Sequence, residues 1–570
     1  MRAAALAVST LLSTIVAAAG GKGFPGGSWD TIQRITGSRF VDASEHGNYY
    51  HAPARDATDS PFLNANSTKF VVNGTGVPDV DFDIGESYAG SLPIRGHEDS
   101  KLFFWFFPTS NPNPKKEIVI WLNGGPGCSS LLGLLQENGP FLWQPGTFKP
   151  VANPWSWHTL TNIVYIEQPV GTGFSKGPAT ATSETEVAEQ FMGFWKNFVD
   201  TFALQGYKVY ITGESYGGMY CPYIADAFIN ANDTTYFDVS GVLMYDPLIS
   251  NTYIQSIVPA IQYVTYWSGL FPFNDTFRAE IHRTDGECGF TKFIQDYLVY
   301  PPKGHMPNRY PGEKDDGQFK RKCTTAFWAI LAAIPSLNPC FNVYDITTTC
   351  PLLWDVLGSP AMNKYVPKGA QIYFDRPEVK RAINAPIDVS WSGCAPYPGI
   401  ALSSEDDSAP PVDSVLPHVI DTTKNVIIAH GALDFVLIAN GTLLALQNMT
   451  WGGKIGFQRP PTQPFYVPDS GFNSIYPATA ATAGVAGTLI SERGLTYVGI
   501  ASSGHMVPMY APSAAFRTLE FLLGRVDCMN CTKPFTTETQ YIPQSEEPMG
   551  NGTAPQGWSA GPPGRPEGVV

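Results

Sequence analysis

Charge is scarce in this chain. Of 570 residues, 15% are Asp, Glu, Lys or Arg, against about 25% in an ordinary soluble domain. The charge that is present leans acidic, with 36 basic and 50 acidic side chains and a net charge of −14. The basic excess of a nucleic-acid-binding protein is missing, so no nucleic-acid partner is expected. Long apolar runs are missing as well. Beyond the N-terminus no uninterrupted apolar stretch reaches membrane-spanning length, which takes about 18 residues or more. The chain has no internal repeat and no metal signature such as His-Glu-x-x-His, and neither metal nor cofactor is expected.

What is present is an apolar, turn-rich composition. Apolar residues make up 43% and aromatics 13%, with 55 glycines and 49 prolines. That excludes a disordered chain and supplies a large core. Length alone suggests three or four domains at about 100–200 residues each. Arg2 precedes an apolar run from Ala3 to Ala19 that ends in Ala17-Ala18-Ala19, the pattern of a signal peptide over residues 1–19. At the other end, residues 526–570 read as a tail, Gly/Pro-rich and polar from Met549 onward, without the apolar run of a lipid-anchor signal. Eight Asn-x-Ser/Thr sites, at Asn66, Asn73, Asn232, Asn274, Asn440, Asn448, Asn530 and Asn551, fit a glycosylated secreted protein. Nine cysteines is an odd number, so in an oxidising compartment one thiol is left over.

Nearly continuous apolar runs mark strands buried on both faces of a sheet. They are Lys101–Phe107, Glu117–Leu122, Asn162–Glu167, Lys208–Thr212, Val239–Tyr245, Asn425–Ala429 and Leu495–Ala501. Between two of them a helix is expected from about Thr185 to Leu204. Val187, Phe191, Phe194, Phe198 and Phe202 recur there at spacings of three and four, and Ser183 with Glu186 offers a capping box. Strands alternating with helices predict an α/β fold with a mostly parallel central sheet, over residues 20–525. Residues 249–375 break the rhythm and contain Cys288, Cys323, Cys340 and Cys350. They are expected to form an inserted, disulfide-linked cap over the active site.

The sharpest motif is Gly213-Glu214-Ser215-Tyr216-Gly217, directly after the strand Lys208–Thr212 and before a helix-compatible run. Strand, G-x-S-x-G and helix together define a nucleophile elbow, which exposes the serine hydroxyl at the end of the sheet. A serine needs a base and an orienting acid, and on this scaffold the order is Ser, acid, His. Of nine histidines only His505 follows a strand in the right place. Asp434, after Asn425–Ala429, is the matching acid. Tyr216, at the helix start, can donate its amide to an oxyanion, and the Gly124-Gly125 pair after Glu117–Leu122 can supply a second amide. Gly171-Thr172-Gly173 also follows a strand but lacks the spacing of a nucleotide loop and reads as a turn.

Several blocks carry a resemblance to a known family. WLNGGPGCSS (121–130), ENGP (137–140), IEQPVGTGFS (166–175), GESYGG (213–218), HGALDFVLIANGT (430–442) and GHMVP (504–508) are similar to the signature blocks of serine carboxypeptidases. The likeness runs from about residue 38 to 524, much of the cap excepted. It implies an α/β-hydrolase fold and a serine-type exopeptidase that takes C-terminal residues from peptides and proteins at acid pH through an acyl-enzyme. With the signal segment and glycosylation sites it suggests a secreted fungal member, a vacuolar or lysosome-like compartment being the alternative. By resemblance, Ser215, Asp434 and His505 are the triad and the oxyanion amides belong to Gly125 and Tyr216. Asn123, Glu137 and Glu214, with Trp121 and Gly124 beside them, bind the substrate carboxylate. Glu167 stands where the family usually has Asp, a change expected to matter little.

Two glutamates facing a carboxylate would repel it if all were ionised. Crowded carboxyls raise each other's proton affinity, so at acid pH a neutral one can donate to the substrate. Peptide binding should therefore be tight at about pH 4–5.5 and weaken above. The resemblance pairs Cys128 with Cys394. The four cap cysteines allow three pairings, of which a nested arrangement, Cys288–Cys350 with Cys323–Cys340, is the one expected. Cys528 and Cys531 are expected to form a local bridge, and Cys221 to remain free and buried. Tyr263, Tyr266 and Trp267 suggest apolar substrate pockets. Two other readings stay open, an acyltransferase or esterase on the same scaffold and a catalytically dead binding protein. The intact Glu137 and Glu214 favour the peptidase.

Overall fold

The computed structural model describes residues 60–358, 369–396, 399–469 and 483–537. The expected signal segment, Asn551 and most of the expected tail lie outside these. Among the described residues one sheet has eleven strands. They are β1 (Val71–Val72), β2 (Ser87–Ile94), β3 (His97–Phe107), β4 (Glu117–Leu122), β5 (Asn162–Glu167), β6 (Lys208–Glu214), β7 (Asp238–Tyr245), β8 (Val426–Gly431), β9 (Gln463–Val467), β10 (Gly484–Glu492) and β11 (Leu495–Ile500). Their spatial order is β1-β2-β3-β5-β4-β6-β7-β8-β11-β10-β9. The block β5-β4-β6-β7-β8-β11 is parallel, and antiparallel strands flank it on both sides.

Alternation along each strand divides the core into two layers. Ile118, Ile120 and Leu122 of β4 face one apolar cluster, whereas Val119 and Trp121 face the other. The first layer is covered by α1 (Glu184–Phe202) and α2 (Gly217–Ala231). The phenylalanine stripe of α1 is fully buried, and Ser183 Oγ caps it by accepting from Glu186 N–H. The return bond of the expected capping box shifts by one residue, because the Glu186 carboxylate accepts from Thr182 N–H at 2.7 Å.

The long connection from β7 to β8 carries α3 (Ala260–Tyr266), α4 (Asp275–Cys288), α5 (Phe290–Tyr297) and α6 (Ala326–Ala333), before α7 (Leu416–Thr423) returns to the sheet. Its helices share an apolar cluster with Leu433, Phe435 and Ile438, which flank Asp434. The inserted segment thus packs on the turn that carries the expected acid. Its disulfides correct the nested pairing: Cys288 is joined to Cys323, and Cys340 to Cys350. Each bridge closes a short local loop, of separation 35 and 10 residues, rather than stapling the two loops together. Cys128 is joined to Cys394, and Cys528 to Cys531.

After β8 comes α8 (Ala439–Asn448), and after β11 comes α9 (Pro512–Leu522). Residues 526–537, expected to begin a tail, are docked. Phe535 is fully buried between Trp155 and Phe516, and Arg517 of α9 donates to Lys533 O at 3.0 Å.

Cys221 lies on α2 beneath the elbow, fully buried and unbridged. Burial and the nearby Glu184 charge push its thiol above the usual range. Intact protein should resist alkylation, and exactly one thiol should label after unfolding without reductant, as read by mass spectrometry. Labelling of the folded protein at Cys221, or none after unfolding, would contradict this.

Candidate active site

Register brings the strand ends together. Leu122 pairs with Gly213, Glu214 with Tyr245, and Tyr245 with Ala429, while Gly431 pairs with Ile500. The residues that follow β4, β6, β7, β8 and β11 therefore emerge along one edge of the parallel block, where α/β sheets hold their ligands.

Ser215 has a φ of 60°, a conformation few side-chain-bearing residues adopt. The strain is held by a bond from Ser215 N–H to Tyr245 O at 3.0 Å and by two bonds to its carbonyl, from Gly218 and Leu248 N–H. A side chain at Gly213 would lie 2.6 Å from Leu122 O, so the turn needs glycine there. The loop after β4 comes closer still. A Cβ on Gly124 would stand 2.4 Å from Tyr216 N and 2.7 Å from Ser215 Cβ. That loop is held by Cys128–Cys394 and by the bonds Ser129 N–H to Gly393 O and Ala395 N–H to Gly127 O, each 2.8 Å.

His505 Nδ1 lies 2.7 Å from Asp434 Oδ2, with both side chains buried. Asp434 Oδ1 accepts from Val436 and Leu437 N–H at 2.7 and 3.3 Å. With Asp434 holding Nδ1–H, Nε2 is the bare, basic nitrogen. It is buried and has no hydrogen-bond partner among the described residues. The cap fixes both groups through the loop closed by Cys340–Cys350. His505 N–H donates to Tyr344 O at 2.7 Å, Phe435 N–H to Val343 O at 3.1 Å and Ile346 N–H to Leu433 O at 3.2 Å.

Asn123 organises a second set. Its Oδ1 accepts from Trp121 Nε1 at 2.8 Å and Gly133 N–H at 3.1 Å. Those two donors assign its orientation, which turns Nδ2 toward Glu214 Oε1 at 2.8 Å and Glu137 Oε1 at 3.2 Å. Glu137 is presented by the π-helical turn Leu134–Asn138, a distortion common at functional sites. Both glutamates are buried, and their carboxyls lie within hydrogen-bonding reach of each other. Burial pushes Glu137 up to about 7. Burial, and next the Glu137 charge, push Glu214 well above the usual carboxyl range. At acid pH the pair holds protons, with that of Glu214 in a bond to Glu137.

The structure gives Glu167, noted in the sequence only as a departure from the family, a place beside the site, and it adds Tyr344. Glu167 is buried and binds the Ser129 hydroxyl, Phe174 N–H and Trp391 Nε1, so it ties the β5 end to the loop after β4 and to the Cys394 segment. Burial pushes it up to about 7. An acid closing the apolar run NIVYIE was its signal. Tyr344 sets its ring 5.1 Å from that of His505. Of the expected pocket aromatics, Tyr263 donates to Ala432 O at 3.1 Å, whereas Tyr266 is 69% exposed.

Two groups of described residues bring possible metal-binding atoms within 4.8 Å: Asp527 with Cys528 and Cys531, and Asp246 with His430 and Asp434. In the first, the cysteines are bonded to each other. In the second, Asp434 Oδ2 serves His505 and His430 Nε2 lies 2.6 Å from Leu437 O.

The chain matches the family model described as serine carboxypeptidase over residues 78–524. It is 50% identical over 477 residues to the "Probable serine carboxypeptidase" of Arthroderma benhamiae, covering 82% of this chain and 88% of that protein. It is 43% identical over 520 residues to serine-type carboxypeptidase F of Aspergillus niger, covering 86% and 96%. Among solved structures, a prohormone-processing carboxypeptidase of Saccharomyces cerevisiae shares the fold, at a TM-score of 0.62 and 21% identity, covering 81% of this chain and 98% of that one.

The buried acids dictate how stability varies with pH. Glu137, Glu167, Glu184, Glu214 and Asp246 are all raised by burial. From about pH 4.5 upward the folded chain keeps protons that the unfolded chain has released, so stability falls as pH rises through that window. Half-buried His158 and fully buried His430, each lowered to about 4 by desolvation, act oppositely below about 6.5 but are fewer. Tm should fall by about 5 °C or more between pH 5 and pH 8, and Glu137→Gln should lessen the fall. A Tm that rises over this range would refute the assignment.

Proposed function

Because the chain belongs to the serine carboxypeptidase family, we propose that Ser215, His505 and Asp434 are its catalytic triad and that Asn123, Glu137 and Glu214 bind the free carboxylate of the peptide. The protein is a serine-type carboxypeptidase, a hydrolase that acts on peptides at acid pH. The observation that carries the site assignment is the pair of buried, mutually bonded glutamates on one Asn123 amide, one of them adjacent to Ser215. An esterase or transferase on this scaffold has no use for such a pair.

In this reading Ser215 Oγ attacks the last peptide carbonyl while His505 Nε2 takes its proton. Asp434 keeps the imidazole in the Nδ1–H tautomer and stabilises the imidazolium. The oxyanion is held by the amides of Gly125 and Tyr216, the latter at the start of α2. His505 then returns the proton to the departing amino acid, and water, activated by the same base, releases the acyl group from Ser215. The substrate carboxylate meets protonated Glu137 and Glu214, with Trp121 Nε1 and Gly133 N–H fixing the Asn123 side chain and Gly124 beside it.

Relatives and disulfides fit a secreted or vacuolar protein, and no described helix is long and apolar enough to cross a membrane. We favour secretion. Residues 1–19 support it, as do the exposed sites Asn66, Asn73, Asn232, Asn274, Asn440 and Asn530. Asn448 is only partly exposed, and its Oδ1 accepts from Met306 N–H. We assign residues 249–375 to a cap inserted in the hydrolase domain.

Three measurements test the site. Ser215→Ala should abolish release of C-terminal amino acids from a peptide panel. Amidated peptides should be cleaved about 100-fold less well or worse. KM for a blocked dipeptide should rise about tenfold between pH 5 and pH 7.5 as the glutamates ionise, with kcat changing less. Equal turnover of amidated and free peptides would sink the carboxylate site.

A further inference from the structure

Behind Asp434 lies a second acid and imidazole that the mechanism above leaves unused. Asp246 follows β7 with a φ of 42° and is fully buried. Its N–H donates to Ala429 O, and its Oδ1 accepts from Gly431 N–H, both at 2.9 Å. Oδ1 also lies 3.3 Å from His430 Nε2. His430, equally buried, places Nε2 2.6 Å from Leu437 O and 3.8 Å from Asp434 Oδ2. Asp246 Oδ2 and His430 Nδ1 have no hydrogen-bond partner.

These contacts fix where the protons are. A ring nitrogen 2.6 Å from a carbonyl oxygen carries hydrogen. A second hydrogen on Nδ1 would be a buried donor without an acceptor, so His430 is neutral. Asp434 already accepts from His505 and two amides and is the charged member. A charged Asp246 beside it would put two like charges in one dry pocket. Building on the triad assigned above, we propose that Asp246 is a protonated positioning residue that donates a hydrogen bond to Asp434, while neutral His430 holds the 434–437 turn whose amides grip the same carboxylate.

The surroundings agree. Burial, and next the Asp434 charge, raise Asp246 well above the usual range, with Glu214 of β6 adding to the effect. Burial lowers His430 to about 4, against the pull of Asp434, with His505 on the far side of that carboxylate. Tyr245 of β7, Tyr263 of α3 and Tyr497 of β11 face Asp246 as neutral phenols. On folding, the proton moves from imidazole to carboxyl, so the pair's proton count is unchanged between about pH 4 and 6.5. The donor also draws charge from Asp434, so the imidazolium of His505 is less favoured. That keeps a base available at acid pH.

The test is the rate at which diisopropyl fluorophosphate inactivates the enzyme, followed from pH 4 to 8. Labelling of wild-type Ser215 checks the triad separately. Asp246→Leu should move the acid limb of that rate toward neutrality by about one pH unit and lower its plateau about tenfold or more. Asp246→Asn keeps a donor and should move the limb far less, at a cost of a few-fold in rate. Equal shifts in the two variants, or none in either, overturn the proposal. If the Leu variant does not fold, infrared difference spectra of wild type minus Asp246→Asn at pH 7 decide. The carbonyl band of a protonated carboxylic acid is expected, and its absence overturns the proposal.

Discussion

The site depends on one close approach, the loop after β4 lying against the turn after β6 with no room for a side chain at Gly124. Two short peptides meet there. One is Asn123-Gly124-Gly125 and the other is Glu214-Ser215-Tyr216. Each joins a residue assigned to carboxylate recognition to residues assigned to the chemistry. Substrate recognition and bond cleavage are therefore separated by a single peptide unit on both sides of the contact. Moving the loop by an ångström would disturb both, and this explains the weight of restraint on it: a disulfide, two backbone bonds to the Cys394 segment and the carboxyl of Glu167.

The second governing fact is desolvation. A chain with few charged residues nevertheless buries Glu137, Glu167, Glu184, Glu214 and Asp246. In water-free surroundings a carboxyl is far more stable with its proton. Each of these groups is therefore an acid that behaves as a neutral hydrogen-bonding amphoteric group in the enzyme's working range. The same physics serves two ends. At Glu137 and Glu214 it supplies the proton donors that the proposed carboxylate site needs, and at Glu167 it permits a carboxyl to knit three segments together.

Much of this was legible in the sequence. The strands of the parallel block read as continuous apolar runs because both faces are buried, and the G-x-S-x-G elbow stood in its strand–helix context. The antiparallel strands β2 and β10 were passed over because Gly90, Ser91 and Pro93 interrupt one, and Gly484, Gly487 and Ser491 the other. Glycine and proline weaken the strand signal in a sequence, and no local pattern reveals the partner. The cap disulfides were misassigned because cysteine spacing constrains pairing only through a fold that helices α4 and α6 had yet to supply. Asp246 and His430 carry no signal of their own in the sequence, since only the pairing of β7 with β8 brings them together.

The loop closed by Cys340–Cys350 belongs to the inserted segment, yet its backbone holds His505 and both neighbours of Asp434. A segment inserted between two strands, with a core of its own, would be a natural place to alter which peptides are accepted. Here such variation is coupled to the alignment of the base. Grafting another cap onto this scaffold would exchange substrate preference and catalytic geometry as one inheritance, so the evolutionary freedom of the insertion ends at the small disulfide ring that touches the histidine.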